Sequence, residues 1–119
     1  MQPSMQMTSR NEERAPDPAE ISRLREAATP DNPEACYVLG LALKAIGTPA
    51  GSAEAVLWFA AASMGHHPGG HYQMALHCRN VDSRQLASYH IEASAFQEFE
   101  SALRLMREWK AAGYLDSAN

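Results

Sequence analysis

Cysteine is scarce in this 119-residue chain: Cys36 and Cys78 stand alone, too few for the disulfide framework on which small secreted domains depend. No apolar run approaches the roughly 20 residues that cross a bilayer, and residues 1–16 lack the continuous apolar core of a secretory leader. These absences predict free thiols, a reducing compartment and a cytoplasmic protein with no membrane partner. Basic charge is also short. Ten Lys and Arg face 14 Asp and Glu, a net charge of −4, which argues against non-specific nucleic-acid binding. Charge of either sign thins out between residues 31 and 80, where Asp31, Glu34, Lys44, Glu54 and Arg79 are the charged residues. So weakly charged a middle needs cover, from flanking helices or from a partner, because large bare apolar patches are rare on soluble monomers.

What is present is a pattern written twice. Ala35-Cys36-Tyr37-Val38-Leu39-Gly40-Leu41 recurs 35 residues on as Gly70-His71-Tyr72-Gln73-Met74-Ala75-Leu76, and a second helical pattern, Ala55 to His66, lies between the copies. Two helices per ~35 residues is the period of a helical solenoid.

Residues 1–16, polar and without periodicity, read as a disordered tail. Asp17-Pro18-Ala19-Glu20 offers an Asp N-cap, Pro at the first helical position and Glu at the third, and Thr29-Pro30 ends that first helix. Asp31-Asn32-Pro33 starts a second helix over 33–46 with Ala35, Leu39, Ala42, Leu43 and Ile46 on its packing face. Gly47-Thr48-Pro49-Ala50-Gly51 reads as a breaker loop, Ser52 as the cap of a third helix over 53–64, Gly65 as its left-handed terminator, and 69–79 as a fourth helix. From Arg84 to Ala112 there is neither Gly nor Pro, and Leu86, Tyr89, His90, Ala93, Phe96, Phe99, Leu103, Met106 and Trp109 fall three or four apart. This is one long helix, or two with a break near Ser94. The expected whole is five or six helices in antiparallel pairs, without strands, with Leu39 and Trp58 buried.

The repeat resembles the Sel1-like repeat, a relative of the tetratricopeptide repeat, through Ala35, Leu39-Gly40, Ala55, Trp58, Ala62, Ser63 and Gly65-His66, with a weaker second copy through Gly70, Met74-Ala75, Asp82, Leu86, Tyr89 and Ala93-Ser94. Leu43 and Cys78 stand where that family carries an aromatic residue. The resemblance implies an all-α fold, an α/α superhelix of antiparallel helix pairs over residues 17–95, with 96–115 as a C-terminal capping helix continuous with the repeats or packed on them. It further implies a non-enzymatic protein–protein interaction module, an adaptor, scaffold or inhibitor of the immunity type, and no catalysis.

Candidate chemistry outside the repeat surface is thin. His66, His67, His71, His77 and Cys78 are the cluster of potential metal ligands, but His67-x₃-His71 spans a Pro-Gly-Gly turn and His77 and Cys78 point apart on a helix. The expectation is no metal and no cofactor. For cysteine catalysis nothing supplies a lowered thiol pKa or an orienting carboxylate, and Gly69-Gly70 lacks the strand and lysine of a phosphate loop. The stripe Phe96, Phe99, Leu103, Met106, Trp109 fits a lid over the last helix pair or, as the alternative, a homodimer helix.

The candidate partner-binding residues form two corresponding columns, Tyr37, Leu41, Lys44 and Tyr72, Leu76, Arg79. If the first helices of the pairs lie side by side, the columns make a double row with aromatic and apolar groups at one end and two cations at the other. Such a row suits an acidic or C-terminal segment of another protein. Whether these residues line a groove or pack between helices is left open by the spacing alone.

Overall fold

The computed structural model describes residues 16–115, so the expectation of a tail falls, Pro16 apart, outside the described residues. Six helices run through them and no strand occurs among them: α1 Pro18–Ala27, α2 Pro33–Ile46, α3 Pro49–Met64, α4 Pro68–Asn80, α5 Arg84–Phe96 and α6 Glu100–Ala111. None is long and apolar enough to cross a membrane.

The N-termini obey local capping chemistry. Asp17, Asn32 and Thr48 each accept a backbone N–H from three residues on, and each precedes a Pro in the first turn. Thr48-Pro49 therefore starts α3 four residues before the Ser52 start that its glycines imply. The break is Gly47 and the cap Thr48, with Gly47 in the left-handed region at φ 82°. Gly51, read from the sequence as loop, lies buried in the first turn of α3 against the Leu43 carbonyl.

Four of the six C-termini share one device that glycine content does not reveal. His67 donates its backbone N–H to the Ala62 carbonyl with His66 at φ 63°; Ser83 to Cys78 with Asp82 at 60°; Phe99 to Ser94 with Glu98 at 61°; and Tyr114 to Trp109 with Gly113 at 81°. Each is a helix closed by a left-handed residue whose successor reaches back to the last turn. Gly65 is thus not the left-handed terminator of α3, having φ −89°, and His66 holds that place. What Gly65 supplies is space, since a Cβ there would collide with the Pro33 ring. The same turn at His66 and at Glu98 puts the backbone interval at 32 residues, shorter than the 35 of the sequence pattern. It also divides residues 84–112 into α5 and α6.

Contacts fix the directions. Pro33 at the start of α2 meets Gly65 at the end of α3, Gly40 meets Phe59 midway, and the Leu43 carbonyl meets Gly51, so α2 and α3 run antiparallel. Ser94 Oγ donates to the Pro68 carbonyl at 2.7 Å while Ser83 meets Cys78, so α4 and α5 do too. One apolar cluster joins Ile21, Ala28, Cys36, Leu39, Leu43, Ala55, Phe59 and Ala62; another joins Ala75, Cys78, Ala87, Ile91, Ala102, Trp109 and Leu115. Leu39 is fully buried, whereas Trp58 is half-buried, its indole N–H on Glu54 at 3.1 Å. Glu54 also receives the Arg25 guanidinium, tying α1 to α3.

The face of α5 differs from the bulk pattern. Ala87, Ile91 and Ser94 are buried, while Leu86 and Tyr89 are exposed and Phe96 is 89% exposed. Close helix approach selects small side chains, so the contact face lies one position round from the large residues. On α6 the packed residues are Ala102, Leu105, Met106 and Trp109, with Phe99 at the cap, and Leu103 is only half-buried. Of the stripe read from the sequence, Trp109 is buried, Phe99 and Met106 are half-buried against the second cluster, and Phe96 is exposed.

Candidate functional site: a hollow at Lys44

The two first helices, α2 and α4, lie side by side. Tyr37 on α2 stacks on His67 with ring centroids 4.5 Å apart, and a Cβ on Gly69 would fall 2.6 Å from the Tyr37 ring. His67 is fixed three ways: its ring faces Tyr37, its Nδ1 accepts the Gly70 N–H at 3.2 Å, and its Nε2 lies 2.6 Å from Glu34 Oε1. An Nδ1 that accepts leaves the proton on Nε2, the tautomer that donates to Glu34. Further along, Lys44 Nζ donates to Gln73 Oε1 at 3.1 Å.

The predicted row is distributed by these contacts. Tyr37 packs between α2 and α4, and Tyr72 tilts against Phe99 at 5.7 Å, so both aromatic ends face neighbouring helices. Leu41 is exposed on α2, and Leu76 is half-buried against the second cluster. Arg79 does not stand beside Lys44; its guanidinium lies 3.9 Å from the Tyr114 ring centroid and 5.3 Å from that of Trp109. Sequence reasoning had no signal for this, since Tyr114 reaches Arg79 only because the turn at Gly113 folds the end of α6 back.

Lys44 and Leu76 come together in a hollow of about 250 Å³ between α2, α3 and α4. Ala55, Val56, Phe59 and Leu76 supply apolar walls, and Lys44, Ser52, Gln73, His77 and Asn80 supply the polar lining. Among the described residues no Asp or Glu lines it, in a chain whose acidic residues outnumber the basic ones. It presents a cation and polar side chains above an apolar floor.

The other candidate groups, His77 apart, are engaged elsewhere. Cys36 and Cys78 are free and buried, burial pushes both thiols up, and Cys36 Sγ donates to the Thr29 carbonyl at 3.4 Å. Protonated, buried thiols are poor nucleophiles. His67 serves as a cap, His77 lines the hollow, and His71 meets His90. Among the described residues no three His, Cys, Asp or Glu side chains converge to hold a metal ion. Compared with family models, curated proteins and solved structures, the chain gives no match.

Proposed function

We propose that this chain is a non-enzymatic protein-binding module of the Sel1-like, tetratricopeptide-related kind, which holds an acidic segment of another protein at the Lys44 hollow. The observation that carries the reading is the hollow's lining: a lysine, two amides, a histidine and a hydroxyl over an apolar floor, with no carboxylate among the described residues. Support for the repeat architecture comes from the common closing turn, which recurs 16 residues apart at His66, Asp82 and Glu98 and so 32 residues apart per helix pair, and from the side-by-side placement of α2 and α4. In this reading Lys44 engages the partner's carboxylate, Gln73 and Asn80 hydrogen-bond its backbone, and an apolar partner side chain rests on Phe59 and Leu76.

Affinity capture from the native host with the parent chain, Lys44→Glu and the exposed control Arg104→Glu tests this. A partner held by the parent and by Arg104→Glu but lost with Lys44→Glu supports the hollow; equal recovery by all three moves the binding surface elsewhere. Lys44 is changed alone because Arg79, stacked on Tyr114 and Trp109, would disturb the fold along with the surface.

A further inference from the structure

His71 projects from the first turn of α4 and is 1% exposed. Its Nδ1 lies 2.9 Å from Nδ1 of His90 on α5, so one ring donates an N–H and the other accepts with its lone pair. Both rings are neutral in their uncharged forms here. A first proton brings a charge into this buried contact, and a second sets two N–H groups against each other. Among the described residues nothing nearby compensates. His71 Nε2 is buried with no hydrogen-bond partner, and the first turn of α4 places the positive end of the helix beside the ring. The titratable groups that face His71 are His66 from the end of α3, His67 at the α4 cap, and Tyr89 and His90 from α5. None is a carboxylate, and Glu34 is held by His67.

The contact sits where α4 and α5 are joined. Ser94 Oγ donates to the Pro68 carbonyl at 2.7 Å, and Gln97 Nε2 donates to the His66 carbonyl at 2.8 Å. We propose that the His71–His90 contact is an acid-sensitive clasp, which in its neutral form holds the start of α4 to α5 and on protonation weakens that pairing. Burial and the neighbouring histidines push His71 down to about 4, and burial lowers His90 as well. Because the folded value lies below the unfolded one near 6.5, the stabilisation is complete above pH 6.5 and is lost as pH falls toward 4. Between pH 7.5 and 5.0 the His71 shift alone lowers the folding equilibrium constant about 30-fold.

Urea unfolding of the full chain at both pH values, followed by far-ultraviolet circular dichroism, measures that ratio. The comparison is the double variant His71→Asn/His90→Asn, whose amides put hydrogen-bonding atoms near the two Nδ1 positions without a titrating group. A loss of about 30-fold in the parent and of under about threefold in the variant is expected; equal pH dependence in the two would overturn the clasp. Should the variant not fold, the ring titrations of the folded parent by nuclear magnetic resonance decide the matter. Midpoints for His71 and His90 well below 6.5 support the proposal, and ordinary midpoints refute it.

Discussion

Gly40 offers the sharpest stability test, because the structure says what an added atom would meet. A Cβ built there falls 2.6 Å from Phe59 Cε1, 2.7 Å from Cδ1 and 3.1 Å from Cζ. The ring is 3% exposed and belongs to the first core cluster, so giving way to a new methyl means shifting a packed side chain that also walls the Lys44 hollow. In an open helix interior Gly→Ala stabilises by about 1 kcal/mol, whereas forcing a methyl into a packed core costs about 1–3 kcal/mol. At Gly40 the second effect wins, so Gly40→Ala should lose about 1 kcal/mol and Gly40→Leu about 3 kcal/mol or more. The assay is urea unfolding at pH 7.5. Phe59→Leu, which removes Cε1 and Cζ, should by itself destabilise the chain yet reduce the cost of Gly40→Ala, a coupling of about 1 kcal/mol in the double-mutant cycle. If Gly40→Ala gains stability as an open site would, or the cycle shows no coupling, the packing of α2 on α3 is wrongly described.

At Gly70 a Cβ would meet Ala62 Cβ at 2.7 Å and the Ser63 backbone nitrogen at 2.9 Å; backbone yields less than a ring, so Gly70→Ala should melt below Gly40→Ala. Glu98 carries a left-handed backbone at φ 61° with an exposed side chain, so Glu98→Gly should stabilise by about 0.5–1 kcal/mol, and a destabilised variant would contradict the α5–α6 turn. Arg25 and Trp58 hold the Glu54 carboxyl down at about 2. Its contribution is therefore present above about pH 4.5 and lost as pH falls toward 2; because the pair is partly exposed, Glu54→Gln should cost no more than about 1 kcal/mol at pH 7 and less in high salt. A thiol reagent should find Cys36 and Cys78 unreactive in the folded chain and both reactive in urea, and reaction without denaturant would refute their burial.

Helix starts were legible because capping is local: Asp17-Pro18 and Asn32-Pro33 name their helices, and Thr48-Pro49 would have done so had its neighbouring glycines not been given more weight. Helix ends were legible in position for α2 and α3, which close at Ile46 and Met64 as read, but the residues that close them were not. The left-handed closing residues are His66, Asp82 and Glu98 as well as Gly113, and a glutamate with φ > 0 carries no mark in the sequence, so the α5–α6 break, one of two readings and set near Ser94, falls a few residues later between Phe96 and Glu100. The burial of Leu39 followed from periodicity, but on α5 the small residues Ala87 and Ser94 form the contact and the large Phe96 faces outward, the reverse of a reading by bulk. Of the candidate site, Lys44 and Leu76 meet in one hollow. Arg79 is drawn away by Tyr114, a contact between distant parts of the chain that no local pattern encodes.

The central claim, that the Lys44 hollow receives an acidic protein segment, is tested most directly by selection from a random-peptide display library with parent and Lys44→Glu as paired baits. The account predicts that the parent enriches peptides with Asp or Glu within a residue or two of a large apolar side chain, that Lys44→Glu does not, and that affinity for the parent falls as salt is raised. Enrichment of the same peptides by both baits, or of peptides without a carboxylate, would contradict it.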